Sequence, residues 1–382
     1  MDYYYNITTI FDIFIAIIVL ANKFTGMKTT LTHRERVRLA LAHQETDRIP
    51  IAMVCSGLNE PVRKAFDEYL MKNRGMNAEQ YFEPLIDIRS VEPAYIGPSR
   101  EKDADIWGVK RKSVSYGEGS YDEIEHYPLG EACVDDIVSY KWPSVDWFDY
   151  SILRQRINEL RRKGDYCLMA HNGNIFESSW YLRGFEQVFV DMVLSPEILN
   201  AIMKKVTDFY VAYFSRILEA ADGEIDLVFT ADDIGSQENL LFSLEMWEKH
   251  IKPWHVKLNK AIHSFGAKVI YHSDGAITDA VPGLIDMGID VLQALQFDAK
   301  NMDPVFLKET YGGRLCFEGG VSVQSTLPFG TSDQVREEVK ERIRVLGKNG
   351  GYILGPSHMI QAGTPPENVA ALFDTAAGTE FN

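Results

Sequence analysis

From residue 150 to the C-terminus, short apolar runs alternate with helical patterns, and that rhythm leaves the chain very few folds to choose from. A helical stretch at 151–163 leads to a strand at 166–170, and helices through residue 221 lead to a strand at 226–230. The same order recurs with helix 244–265 and strand 268–271, then helix 278–287 and strand 290–295. Helix 304–310 leads to strand 314–317, helix 333–347 leads to strand 351–354, and helix 366–376 closes the chain. Strands separated by helices of ten or more residues build βαβ units and a parallel sheet. Seven or eight such units predict a single-domain (β/α)8 TIM barrel. No GxGxxG follows any strand, which argues against a dinucleotide-binding sheet.

The N-terminal part reads differently. Thr32 followed by Glu35 predicts a capping box opening a helix over 34–43. A short strand is expected over 51–54 and helices over 58–90. The stretch 91–143 holds several Gly and Pro and an alternating pattern at 109–116, which predicts an elaborated region of hairpins and loops over the barrel mouth. Residues 1–26 look foreign to the rest of the chain. The apolar run 13–21 is shorter than the ~20 residues that span a membrane and has no basic flank of a secretory signal. The expectation is a start assigned too early, with the barrel occupying 27–382 and no stable membrane association.

At 382 residues and a formal net charge of −16, the chain offers nucleic acid and anionic membranes no attractive field. Any anionic substrate therefore requires a local cluster of Arg or Lys. Cys55, Cys133, Cys167 and Cys316 form no CxxC pair, so the expected state is reduced thiols in a cytoplasmic protein, Cys55, Cys167 and Cys316 being buried.

Three apolar runs stop on groups that bind metals or move protons: 227–233 on Asp232 and Asp233, 269–274 on His272 and Asp274, and 352–358 on His358. In a parallel barrel those strand ends converge on one mouth. His272 and Asp274, two apart, leave a strand on the same face, and imidazole with carboxylate can share zinc while keeping a coordination position open. The competing structural roles are an N-cap for Asp274 and a carbonyl partner for His272. Of the adjacent pair Asp232 and Asp233, one is expected to face the mouth as a catalytic group and the other a flanking layer. Glu318, before two glycines, is a further catalytic candidate, and His171, Asn172 and Gln296 are expected to line the mouth as substrate-binding residues. Trp254, His255 and His263 sit in a helical pattern and read as packing or surface residues.

Several motifs together carry a resemblance: ETDRIP at 45–50, DIWGV at 105–109, LRGFE at 182–186, AKVIYHSDGAI at 267–277, GGVSVQ at 319–324 and GGYILGPSHMIQAGTPPEN at 350–368. From residue 27 onward the chain resembles the uroporphyrinogen decarboxylase superfamily. The resemblance implies a (β/α)8 barrel and either of two chemistries: haem-pathway decarboxylation, or methyl transfer by zinc enzymes that work with corrinoid proteins. The decarboxylases carry an Arg-rich segment after the first strand, whereas 52–63 here (AMVCSGLNEPVR) has a single Arg. An octacarboxylate substrate needs those bidentate partners. In the thiol-methylating enzymes the ligands are His-x-Cys and a later Cys. His272 matches the His, while Asp274 and His358 stand where the cysteines would be, implying a His/Asp/His zinc set. Ser322 stands where close relatives are expected to have Asp. The reading is thus a zinc methyltransferase moving a methyl group between a small methylated substrate and a corrinoid supplied by a partner protein. The alternatives are decarboxylation of uroporphyrinogen and a non-catalytic tetrapyrrole- or corrinoid-binding barrel, and a homo-oligomer is compatible with each.

Overall fold

The protein is described by a computed structural model covering residues 30–378, apart from 56 and 116–118. The expectation for residues 1–26 falls outside the described residues. Strand β1 (Ile88–Ser90) is followed by β2 (Ala94–Tyr95), the β3 (Lys110–Ser115) and β4 (Ser120–His126) hairpin, and β5 (Phe148–Asp149), which pairs antiparallel with β2. Then come β6 (Cys167–Asn174), β7 (Leu227–Ala231), β8 (Lys268–His272), β9 (Val291–Gln293), β10 (Cys316–Val321) and β11 (Tyr352–Pro356). The main sheet has seven strands in the order β1-β6-β7-β8-β9-β10-β11, with every pair parallel.

An eighth position closes it. Ile51 bridges Leu354 in parallel, Ala52 N donates to Leu354 O at 2.9 Å, and Asp87 N donates to Ile51 O at 2.8 Å. The segment around Ile51 thus lies between β11 and β1 and completes the barrel. The expected strand over 51–54 is reduced to this one bridged position. The expected helices over 58–90 are Glu60–Arg74 and Ala78–Phe82, and the remainder holds β1. At three residues, β1 is too short to show a period of two. The helix expected over 244–265 is two, Leu244–His250 and Lys252–His263. Pro253 opens the second, where its missing N–H costs nothing.

Two apolar layers result. Inside the barrel, Ile88, Met169, Leu227, Ile270, Val291 and Ile353 form one buried cluster, which Val37 enters from below. Outside, the helices pack around the strands in a second, larger cluster that includes Phe66, Phe214 and Trp247. Burying one such large side chain stabilises by roughly 1.5–3 kcal/mol. The helix His33–Leu41 closes the barrel floor, and its capping box forms as expected, with Glu35 N donating to Thr32 Oγ1 at 3.1 Å and Thr32 N to Glu35 Oε2 at 2.9 Å.

Charge fixes that floor in place. Asp87 is fully buried and accepts from Arg36 Nη1, Arg48 Nη1 and Ile51 N, each at 2.7 Å, with His33 Nδ1 also at 2.7 Å. Burial alone pushes its carboxyl up, but His33 and the two guanidiniums outweigh that and hold it below the usual range. No helix among the described residues is long and apolar enough to cross a membrane.

Candidate functional site

The mouth is assembled where the loops after β7 and β8 interlock. Gly275 has φ +87°, and a Cβ there would lie 2.6 Å from Gly235 C; one on Gly235 would lie 2.7 Å from Asp274 O. Only glycines allow this approach. It lets Asp274 N donate to Asp233 Oδ1 at 2.8 Å and Ala276 N to Ser236 O at 2.7 Å. The two carboxylates are thereby brought to one side of His272, whose Nε2 lies 3.5 Å from Asp233 Oδ1.

His272 ends β8 and is oriented from the next strand. Register pairs it with Gln293 at the end of β9, and its Nδ1 hydrogen-bonds to Gln293 Oε1. An amide oxygen can only accept, so Nδ1 carries the proton and Nε2 offers its lone pair to the mouth. One donor atom each from Asp233, His272 and Asp274 lies within 4.8 Å of the others, and the same holds for Cys55, His272 and His358. His272 belongs to both sets. His358 Nε2 lies 4.0 Å from Asp274 Oδ2, and the two imidazole centroids are 5.6 Å apart. His272, Asp274 and His358 are therefore brought together, joined by Asp233 and by Cys55, which the sequence pattern had placed among buried structural thiols.

Burial dominates the electrostatics of this group. It raises the Asp274 carboxyl, with Asp233 pushing the same way and His272 and His358 opposing. It lowers His358, with His272 assisting and the two carboxylates opposing. Asp274 Oδ1 is buried without a hydrogen-bond partner among the described residues. Imidazole nitrogens, carboxylate oxygens and a thiol sulfur that converge this closely, with one carboxylate oxygen left over, fit a divalent cation of the zinc type.

Asp232 and Asp233 part company. Asp232 is fully buried and turns away: Phe176 N and Glu177 N donate to its two oxygens at 2.8 Å each, and His255 Nε2 lies 2.5 Å from Oδ2. It caps the helix Ile175–Arg183 from across the fold. The catalytic placement expected for Asp232 is thus replaced by a capping one, and His255, expected to be a packing or surface residue, is its buried partner. Asp233 faces the mouth.

Glu318, on β10, is fully buried, and neither oxygen has a hydrogen-bond partner among the described residues. Burial pushes its carboxyl up to about 8, and the neighbouring Gln293 amide opposes this only in part. Gly355 on β11 makes the room, since a Cβ there would come within 2.8 Å of Glu318 Oε1. A carboxylic acid thus sits behind the amide that orients His272.

His171 and Asn172 lie in an irregularity of β6, where the register with β7 shifts between Ala170 and Gly173. Asn172 is exposed with φ +84°, a conformation Asn tolerates better than most residues. His171 Nε2 lies 2.6 Å from Ser90 Oγ, and burial lowers its pKa to about 4. The Phe229 ring separates it from the metal-type donors, with centroids 5.3 Å from His171 and 5.8 Å from His272. Gln296 is buried and ties loops together, its Oε1 accepting from Gly275 N at 2.8 Å and Gln237 Nε2 at 3.2 Å.

Two further carboxyls carry no clear signal in the sequence pattern. Glu92, after β1, accepts from His171 N at 3.1 Å, and burial raises it to about 7. Glu177 opens the helix capped by Asp232, and burial beside Asp233 and Asp232 pushes it well above the carboxylate range. The strand-end rule identifies Glu92 once β1 is known to be a strand. Nothing local marks Glu177.

The family profile described as "Uroporphyrinogen decarboxylase (URO-D)" matches residues 113–378, more than half of the chain. The chain belongs to the uroporphyrinogen decarboxylase family. His171, Asp233, His272, Asp274, Glu318 and His358 fall inside the matched stretch, whereas Cys55 and Glu92 precede it. Among curated relatives, a uroporphyrinogen decarboxylase of Synechocystis sp. is 25% identical over 183 residues, which is 47% of this chain and 48% of that protein. The chloroplastic uroporphyrinogen decarboxylase 2 of Oryza sativa subsp. japonica is 22% identical over 261 residues, 65% of this chain and 60% of that one. The match thus spans about half the length of the first of these relatives. A solved methyltransferase from Methanosarcina mazei superposes with a TM-score of 0.64 at 19% identity, covering 91% of this chain and 99% of that one. That likeness supports the barrel fold of the family.

Proposed function

We propose that this member of the uroporphyrinogen decarboxylase family is a zinc-dependent methyltransferase that moves a methyl group between a small methylated substrate and a corrinoid held by a partner protein. The observation that carries the reading is the convergence of His272, Asp274, Asp233 and His358 donor atoms around an imidazole already oriented by Gln293. Ligand orientation by a hydrogen bond behind it is what metal-binding histidines require.

His272 Nε2 and His358 would hold the zinc, with the Asp233 and Asp274 carboxylates within reach. When bound, zinc supplies Lewis acidity toward the oxygen, nitrogen or sulfur that carries the methyl group. The protein's own part is positional. Gln293 keeps the proton on Nδ1 of His272, the Gly235–Gly275 contact keeps Asp233 and Asp274 on one side, and burial excludes water from the His272 imidazole, while His358 stays half-buried at the mouth.

Substrate charge supports the same reading. Among the described residues, the donor groups that converge at the mouth, Cys55, Asp233, His272, Asp274 and His358, include no Lys or Arg, and the cations nearest the flanking carboxyls are Arg156 beside Glu92 and Arg111 over the Tyr181 ring. Arg63, the single Arg of the segment after the first barrel position, is exposed on the helix Glu60–Arg74. A neutral or cationic methyl donor, such as an ether, methylamine or betaine, suits these groups better than an octacarboxylate.

The second reading is uroporphyrinogen decarboxylation, favoured by the names of the curated relatives. Purified protein given uroporphyrinogen in one assay, and reduced corrinoid protein with methyl ethers, methylamines or betaines in another, decides between the two. Corrinoid methylation that stops on addition of chelator is the expected result. Turnover of uroporphyrinogen at an ordinary ~1–10³ s⁻¹, indifferent to chelator, overturns the methyltransferase.

A further inference from the structure

We infer that Cys55 is a ligand of the metal: the centre is a thiolate site made by Cys55, His272 and His358, with the Asp233 and Asp274 carboxylates facing its open side. This rests on the metal-dependent reading above and adds a ligand that neither the family motifs nor the strand-end pattern supply.

One donor atom from each of Cys55, His272 and His358 lies within 4.8 Å of the other two. In a tetrahedral zinc site, with bonds of about 2.0–2.1 Å to nitrogen and about 2.3 Å to sulfur, ligand atoms end up roughly 3.3–3.6 Å apart. Closing the triad therefore shortens the separations by at most about 1.5 Å, within reach of side-chain rotation.

The backbone around the thiol is pinned independently of any metal. Before Cys55, Ala52 N donates to Leu354 O at 2.9 Å and Leu354 N to Pro50 O at 2.8 Å. After it, Ile360 N donates to Gly57 O at 2.9 Å and Asn59 N to Ile360 O at 3.0 Å, around the parallel bridge between Leu58 and Ile360. The segments carrying Cys55 and His358 are thus bonded to each other on both sides of the two side chains. A sulfur and an imidazole held side by side in this way form a preorganised half-site, and His272, oriented by Gln293, supplies the third donor from β8.

Ligand softness then determines which metal such a site selects. A thiolate sharpens the preference for zinc over magnesium or calcium that the imidazole of an Asp233/His272/Asp274 set already gives. Binding releases the thiol proton, so Cys55 contributes one negative charge and the two neutral imidazoles none. The resulting +1 centre remains electrophilic toward a heteroatom donor.

The test uses the full chain, stripped with chelator and titrated with Co²⁺, which takes the place of Zn²⁺ and reports sulfur ligation through a near-ultraviolet thiolate-to-cobalt charge-transfer band. The expected result is one Co²⁺ per chain with that band, its loss in Cys55→Ser, and its retention in Cys133→Ser, a change at an exposed thiol. Zinc affinity, measured by competition with a chelating dye, should fall in Cys55→Ser by more than the ~10–100-fold typical of an outer-shell residue. Circular dichroism should show an unchanged fold. Binding of one Co²⁺ without the band, or a band that survives Cys55→Ser, overturns the thiolate ligand and leaves the metal reading standing. Failure of the unmodified protein to bind Co²⁺ or Zn²⁺ at all overturns both.

Discussion

Gln293 accepts the Nδ1 proton of His272 across the β8–β9 pair, and this one contact determines which face of the imidazole meets the mouth. Replacing the amide by an isosteric apolar side chain leaves Nδ1 without that acceptor and the ring free to change tautomer. Gln293→Leu is expected to weaken zinc binding by about 10–100-fold with little change in thermal midpoint. Chelator-competition titration measures the first and calorimetry the second. Unchanged affinity would show that the ring is oriented by its packing instead.

Asp232 and Asp233 should separate in mutagenesis. Asp232→Ala removes the acceptor for two backbone N–H groups and for His255, so a loss of about 1–3 kcal/mol or more is expected in denaturant unfolding, with metal content retained. Asp233→Ala, at a side chain about 41% exposed, should leave stability nearly unchanged while altering activity. The reverse pattern would exchange the roles assigned to them.

Glu318 makes the fold lose stability between mildly acidic and neutral pH. Its carboxyl titrates at about 8 in the folded chain against roughly 4.3 when unfolded. Between those values the folded state holds one proton more, so this group's contribution to stability falls as pH rises from about 4 to about 8 and is flat beyond. Glu318→Gln keeps the shape without the ionisation. Chemical denaturation across that range should show a shallower decline for the variant, and parallel curves would contradict the assignment.

Asp87 acts with the opposite sign. Its folded carboxyl is held below the unfolded value, so its contribution is complete above about pH 4 and disappears as pH falls through the folded value. Asp87→Ala leaves the buried Arg36 and the half-buried Arg48 without it and should cost about 3–5 kcal/mol near neutrality. Urea unfolding at pH 7 and pH 3 should show the difference between the two proteins shrinking at the lower pH.

His272→Ala is expected to abolish activity and bound metal with a thermal shift of only a few degrees, because the fold rests on the barrel clusters and the charged floor. Elemental analysis and scanning calorimetry on the same sample check both halves. Full zinc retention would move the metal elsewhere.

What the sequence by itself determined was whatever repeats locally. Alternating strands and helices, the Thr32–Glu35 capping box and the same-face spacing of His272 and Asp274 depend on residues within a turn or two of one another, and all were legible. The hairpin region before residue 150 was legible for the same reason. Tertiary structure decided what depends on distant segments. The three-residue β1 and the single bridged Ile51 have no period of their own and exist because β6 and β11 offer them open edges. Only long-range hydrogen bonds turn Asp232 to the helix at Ile175 and leave Asp233 at the mouth. Cys55 and His358, some three hundred residues apart, meet because a parallel barrel must join its last strand to its first. That closure is a property of the whole cylinder, which no window of the sequence contains.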